Sequence, residues 1–399
     1  MQTQSPTATA AAHPWLAVVA VALATFSVVT TEMLPVGLLT PIAHDLGTST
    51  GNAGLLISVP ALLAALFAPL VVIAAGGINR RYILCALLAL LAAANAASAL
   101  APTMQWMLAA RLLVGLCMGG IWAIAGGLAM RLVCAQRVGL ATSIIFGGVA
   151  AASVLGVPLS AWVGEMFGWR KAFVGMALLS TAVLLLQLAV IPSLPVSASV
   201  QLRHFAQQLR NRRVQRGLVL TLLLVAGHFA AFTFVRPLLE LVSGVSATWI
   251  GALLLAYGVA GIGGNFLVGV LAPRNVSATV MAIAAGLLTT AVLFLCIGDT
   301  PIMGGALLLL WGLAYGGVSV GLMTWMMQAA PRAVEINSAL YVGVFNTGIA
   351  LGAWGGGRVL DQLGLSGTLW ATSLLAAVAL LLCAISFDRR GHPEADDGD

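Results

Sequence analysis

Long apolar runs broken by short polar stretches occupy almost the whole chain from Trp15 to Phe387. A helix needs roughly 20 mainly apolar residues to cross a ~30 Å hydrocarbon core. That window predicts twelve membrane spans. In the first half they cover residues 15–39, 53–75, 82–101, 104–133, 138–163 and 172–191. In the second half they cover 217–242, 249–272, 278–297, 302–329, 336–360 and 368–387. The first run is long and has no Lys or Arg on its flank, so it reads as a retained span rather than a cleaved signal.

One long connection interrupts the pattern between the sixth and seventh spans. It carries Arg203, Arg210, Arg212, Arg213 and Arg216. Leu202, Phe205 and Leu209 recur in it at helical spacing, so part of it is expected to lie on the membrane surface. The predicted organisation is a tail (1–13), a six-helix bundle (14–192), a basic loop (193–216), a second six-helix bundle (217–388) and a second tail (389–399).

Composition fixes the solvent. Hydrophobic residues make up 61% of the chain and charged residues 8%, against about 25% charged in a typical soluble domain. Such a surface faces lipid. The 45 glycines suit helices that pack backbone to backbone. The five cysteines, Cys85, Cys117, Cys134, Cys296 and Cys383, lie in or at the ends of apolar runs without metal-ligand spacing, and are expected to be small buried hydrophobes.

The placement of basic residues sets the expected orientation. With the N-terminus inside the cell, the inner side receives Arg80, Arg81, Arg131, Arg137, the five loop arginines, Arg274, Arg332, Arg389 and Arg390. Only Arg170, Lys171 and Arg358 fall outside, and Arg111 and Arg236 lie within spans. Both termini are then cytoplasmic.

The two halves repeat. Gly115-Leu116-Cys117-Met118-Gly119-Gly120 returns 197 residues later as Gly312-Leu313-Ala314-Tyr315-Gly316-Gly317. Gly156 and Gly168 return as Gly352 and Gly364, and Pro41 as Pro237, all 196 residues on. A shared offset at matching spans indicates a duplicated six-span unit. Parallel repeats of this kind, with a substrate site near the midplane, are a transporter architecture.

Several stretches resemble the major facilitator superfamily, over essentially the whole chain. Arg111-x-x-x-Gly115 is similar to that family's fourth-helix motif. Gly156-Val157-Pro158-Leu159, with Gly164 and Gly168-Trp169-Arg170-x-x-Phe173, resembles the glycine-proline motif of its proton-linked antiporters. Asn346-Thr347-Gly348-Ile349-Ala350-Leu351-Gly352 resembles the eleventh helix of the drug/proton antiporter branch. Within that branch, Glu32 to Pro41, Gly119 to Ala123, Met130 to Val133 and Phe232 to Pro237 look like bacterial purine ribonucleoside efflux pumps, with sugar exporters sharing part of the pattern. The resemblance implies two pseudo-symmetric six-helix bundles, the inner membrane of a bacterium, alternating access and proton-coupled efflux. Two departures stand out. Gly76 and Pro273 occupy the acidic positions of the family's loop motif, so the usual cytoplasmic charge latch is not expected.

A charge at the bilayer centre costs about 2.5–3.5 kcal/mol on insertion scales, so those few within spans need a use. Glu32 is the one carboxylate well inside a first-half span, three residues before Pro35. Counting along the helices puts Glu32 and Arg111 within roughly 5 Å in depth. Removal from water disfavours a charged carboxylate and a nearby guanidinium favours it. Glu32 is therefore the candidate proton site with Arg111 modulating it; the alternative is a static ion pair that only fixes packing. His228 stands 196 residues after Glu32 and near mid-span. It is a candidate for substrate binding, for proton transfer or for a plain interhelical hydrogen bond. Arg236 sits nearer a span end, where it snorkels, pairs with Glu240 or gates.

A purine nucleoside would need an aromatic face and a few amide or hydroxyl groups. Trp122, on the Arg111 face three turns on, and Phe232, one turn after His228, offer rings; Tyr257, Thr324, Gln328 and Asn346 offer polar groups. Each polar group has a structural alternative as an interhelical hydrogen bond, worth ~0.6 kcal/mol on average. Trp106 and Trp249, near span ends, are expected as interfacial anchors. The glycines serve close crossing, with Gly115, Gly148, Gly156, Pro158 and Gly352 as candidate hinge or motif positions.

The leading expectation is proton-coupled export of small organic solutes, most of all purine ribonucleosides such as inosine; sugar efflux and multidrug/proton antiport are the alternatives. An enzyme is not expected, since no metal cluster, catalytic triad or phosphate loop is legible. A sensor would want a soluble output domain. No cofactor beyond the coupling proton, no metal and no nucleic acid are expected. The partners are lipid and a small-molecule substrate, and a monomer suffices.

Overall fold

The computed structural model describes residues 13–74, 78–134, 137–194, 207–331 and 333–388. Gly76, Arg203, most of the expected surface-lying loop segment, Arg332 and both tails lie outside the described residues. All regular structure among the described residues is helical. Among the described residues eleven helices are long and apolar enough to cross a membrane. The last, Val334–Asp388, carries two of the predicted spans, because Gly364 breaks it at φ 75° and ψ −174°.

The first six spans are Pro14–Asp45, Leu55–Ala74, Arg80–Ala99, Met104–Leu132, Val138–Phe167 and Trp169–Val190. The seventh to tenth are Arg212–Phe232, Ala247–Leu271, Val276–Ile297 and Pro301–Gly316 continued by Val318–Ala329. The eleventh and twelfth follow as residues 334–363 and 365–388. The chain forms two compact units, Met1–Leu202 with Ala247–Gly251, and Arg203–Ser246 with Ala252–Asp399.

Three boundaries differ from the sequence expectation. The seventh helix starts at Arg212 rather than Gly217, because the Asn211 side chain accepts hydrogen bonds from the Arg213 and Val214 amides and caps it. Arg212, Arg213 and Arg216 are thus helical rather than loop residues. The same span is interrupted after Phe232, where the chain passes through Val235–Pro237 into a π-helical turn, Leu238–Val242. The tenth span is two pieces joined at Gly317.

Close backbone crossings hold each unit. In the first, the fifth span lies parallel to the first. A Cβ on Gly148 would strike the Ala22 carbonyl, one on Gly156 would touch Thr30, and one on Gly164 would strike Leu38. These contacts advance by eight residues on both helices. In the second unit Gly352 and Gly356 meet the seventh span at Ala226 and Ala230 in the same way. Association within lipid has no hydrophobic drive and relies on such small-residue packing and on interhelical hydrogen bonds. Thr25 supplies one of these to the Ile145 carbonyl at 2.9 Å, and Thr372 another to the Gly227 carbonyl at 2.6 Å.

The repeat is visible in three dimensions. Gly115 abuts the Pro60 main chain, and Gly312, 197 residues later, abuts that of Tyr257, also 197 residues later. Gly156 faces Thr30 and Gly352 faces Ala226, both at an offset of 196. Gly168 and Gly364 both have positive φ, 83° and 75°, a conformation that favours glycine. Asn79 and Asn275 both cap the helix that follows them.

Span ends are fastened by polar side chains. Asp45 accepts from Arg170 and, at 3.1 Å, from the Trp169 indole, while Arg170 also donates to the Ala101 carbonyl. At the other end of this unit the Asn79 carboxamide oxygen accepts from the Arg81 and Leu194 amides. The Arg81 guanidinium donates to the Leu188 carbonyl at 2.6 Å. The stretch after the second span is thereby tied to the end of the sixth. Trp106 and Trp249 are exposed, each within the first turn of its helix. Cys85, Cys117 and Cys383 are buried; Cys134 and Cys296, nearer span ends, are exposed, contrary to the expectation for all five.

Gly115→Val and Gly312→Val should each destabilise the protein by about 1–3 kcal/mol through overpacking. Gly175→Val, where a Cβ meets nothing within 4 Å, should change little. Thermal unfolding in detergent measures all three. Equal losses would show that close approach is not the constraint.

Candidate functional site

In the first unit, Glu32, Thr31 and Arg111 come together inside the helix packing. Glu32 is 5% exposed and Arg111 is fully buried. Arg111 reaches Glu32, as the depth count allowed, but not its carboxylate. Its guanidinium donates three hydrogen bonds to main-chain carbonyls: Nε to Leu56 at 2.9 Å, one terminal nitrogen to Thr31 at 2.9 Å and the other to Glu32 at 3.1 Å. Among the described residues no hydrogen bond or ion pair reaches the Glu32 carboxylate. The static ion pair weighed as the alternative is therefore not formed. Asn95, on the third span, donates to the Thr31 hydroxyl at 3.1 Å and holds the same turn from another side.

Trp122 lies farther along the fourth span, half-buried against the unit's core, with its ring 6.3 Å from that of Phe146. Gly148 and Gly156 lie on the first-span contact, and Pro158 sits inside the fifth helix two residues after Gly156.

In the second unit, His228 is buried at 1% exposure in an aromatic stack. Its ring lies parallel to Tyr315, with centroids 3.3 Å apart, and to Phe232 at 4.6 Å. Phe232 in turn stacks on Tyr257 at 4.7 Å. The order is Tyr315, His228, Phe232, Tyr257. The Trp311 indole closes the edge by donating to His228 Nδ1 at 3.0 Å. A neutral imidazole that accepts at Nδ1 carries its proton on Nε2. In this arrangement both faces of Phe232 are covered, so it is not the open aromatic platform anticipated for it; Tyr315 and Tyr257 are the end rings.

The remaining polar candidates are dispersed. Gln328 accepts from Arg213 at 3.5 Å, beside the Trp325 bond to the Arg213 carbonyl, at the far end of the tenth span. The Asn346 amide donates to the Val342 carbonyl of its own helix at 2.9 Å. Thr324 is half-buried in Val318–Ala329. Arg236 pairs with Glu240 at 2.9 Å, one of the options considered for it. Among the described residues no group of three or more His, Cys, Asp or Glu could hold a metal ion.

Sequence reasoning missed Trp311, Tyr315 and Pro60. Trp311 and Tyr315 are four residues apart, hence on one helix face, and Tyr315 stands where the first copy of the glycine motif has Met118. That combination was a readable signal. Pro60 becomes informative only once Arg111 is seen to contact the turn before it.

An all-helical membrane protein with two repeated six-span halves, a buried carboxylate and a buried arginine is defined as a class by this geometry. The chain belongs to the Major Facilitator Superfamily, which it matches over residues 21–341. It is 34% identical to the transcription regulatory protein OpdE of Pseudomonas aeruginosa, covering 93% of this chain and 94% of that one. It is 32% identical to the purine ribonucleoside efflux pump NepI of Salmonella paratyphi A, covering 93% of each. Among solved structures it superposes on a bacterial homologue of the human lysosomal transporter Spinster, inward-facing and occupied, with a TM-score of 0.75, 16% identity and 94% and 96% coverage. A point mutant of the nucleoside transporter NupG matches with a TM-score of 0.75, 15% identity and 94% and 99% coverage. The fold is the major facilitator fold, and the protein is a multi-span membrane transporter of that superfamily.

If the Trp311 bond sets the imidazole tautomer, ¹⁵N NMR of ring-labelled protein should find His228 protonated at Nε2 and bare at Nδ1. Trp311→Phe keeps the ring packing and removes the donor; the Nδ1–H tautomer should then become populated. A wild-type His228 already protonated at Nδ1 would contradict the assignment.

Proposed function

We propose that this transporter exports purine ribonucleosides in exchange for protons by alternating access, from an inner-membrane location with both termini in the cytoplasm. The observation that carries the proton coupling is the buried Glu32 carboxylate, which has no hydrogen-bond or ion-pair partner among the described residues. A permanent charge so placed would cost several kilocalories, whereas a carboxyl that gains and loses a proton has a use there. Arg111 supplies the neighbouring positive charge.

The purine assignment draws on the NepI likeness at 32% identity and on the second unit's aromatic stack. Aromatic rings with a few polar groups suit a nucleobase and its ribose. Tyr315 and Tyr257 offer the stack's end faces and His228 a ring N–H, all within the second unit. Gly148, Gly156, Pro158 and Gly352 serve as pivots where helices cross closely. A monomer is sufficient for this cycle.

The test is uptake of labelled inosine into inverted membrane vesicles energised acid inside. Accumulation that a protonophore collapses is the expected result, and Glu32→Gln should fall to the protonophore level while still binding inosine. No accumulation in vesicles containing folded protein would remove inosine, leaving sugars and drugs as the substrates to assay. Full accumulation by Glu32→Gln would remove that carboxyl as the proton site.

A further inference from the structure

Two of the three carbonyls that Arg111 binds share a chemical cause. In an α-helix the carbonyl of residue i accepts from the amide of residue i+4. The Thr31 carbonyl would accept from residue 35, and the Leu56 carbonyl from residue 60. Both positions are proline, which has no amide hydrogen. The two orphaned acceptors sit on different helices, and both are filled by one guanidinium from a third, at 2.9 Å each. Four residues along that third helix, Gly115 abuts the Pro60 main chain and lets the fourth span come close enough.

We infer that Arg111 is a positioning residue whose guanidinium replaces the two peptide N–H donors missing at Pro35 and Pro60. It locks the turn that carries Glu32 without consuming the Glu32 carboxylate. Within lipid there is no water to satisfy an orphaned carbonyl, so the prolines and the arginine depend on each other. The planar fork of Arg, with donors facing several directions, can serve acceptors on two helices; a lysine ammonium cannot span them.

The chain contains its own comparison. In the second half, residue 308, equivalent to Arg111, is leucine. The equivalents of Pro35 and Pro60 are Ala231 and Tyr257, each with an amide hydrogen. Gly312 abuts Tyr257 there just as Gly115 abuts Pro60. Where the close crossing is kept and the prolines are absent, the arginine is absent too. The inference stands on helix geometry and is independent of the substrate.

The test is a cross of substitutions read by thermal unfolding of the purified full chain. Arg111→Met in the native background should lower the midpoint by at least about 3 °C. The same substitution made on top of Pro35→Ala and Pro60→Ala, which restore both amides, should cost less than about half as much. Arg111→Lys, which keeps the charge, should behave like Arg111→Met in the native background, and it replaces Arg111→Met in the cross if that variant does not accumulate. A charge-pairing role makes the opposite forecast: Glu32→Gln relieves the loss, Lys substitutes for Arg, and proline replacement leaves the loss undiminished. An undiminished loss in the proline-free background overturns the inference, as does full stability of Arg111→Lys.

Discussion

A main-chain carbonyl that loses its helical amide inside a membrane has no water to turn to, and the first six-span unit contains two such carbonyls at one place. Their capture by Arg111 organises the surrounding region. The bonds draw the first, second and fourth spans together at Thr31, Leu56 and Arg111. Asn95 adds the third span through the Thr31 hydroxyl. The guanidinium is desolvated completely, yet its donors face carbonyl oxygens, which compensate a buried cation without a counter-ion. Glu32 is held at the centre of this arrangement by its own main chain. Its carboxylate is left without a hydrogen bond or ion pair among the described residues, as the proposed proton site requires.

Around that point, packing obeys a rule that both halves share. Helices cross where a glycine lets a backbone approach, and the crossings recur at offsets of 196 or 197 residues. The repeat therefore survives as a set of contacts even where side chains have diverged. What has diverged is the chemistry. The equivalent of Glu32 is His228, and where the first unit holds a charge against carbonyls, the second holds an imidazole between rings. A duplicated frame with distinct contents allows one half to respond to protons and the other to offer aromatic surface, with no change to the glycine crossings that both need.

The spans were legible because lipid imposes length and apolarity directly on sequence, and the glycine repeat was legible because close crossing tolerates few residue types. The limits of that reading are equally physical. Gly317 divides the tenth span with no proline or charge to announce it. Glu32 and Arg111 could be brought to a common depth by counting residues, but depth does not specify which atoms meet. The guanidinium is occupied by main-chain carbonyls, two of which lack their amides because of Pro35 and Pro60 on two other helices. Phe232 was placed one turn from His228 by periodicity. Periodicity cannot tell that Tyr257, from another span, already lies on its far face.

The asymmetry between halves also bears on how proton and substrate events can be linked. Under the proposed coupling, a change of charge on Glu32 acts on a turn fixed by hydrogen bonds from Arg111 and Asn95. His228 is fixed differently, by stacking and by the single Trp311 donor. Rings slide over one another at small cost, whereas a three-carbonyl clamp holds or releases as a unit. The first unit therefore holds the proposed proton site rigidly, and the second offers the proposed nucleoside a more compliant aromatic surface. An ion can move an equilibrium only by interacting differently with two states, and under the proposed coupling the turn that carries Glu32 is the element on which that difference acts.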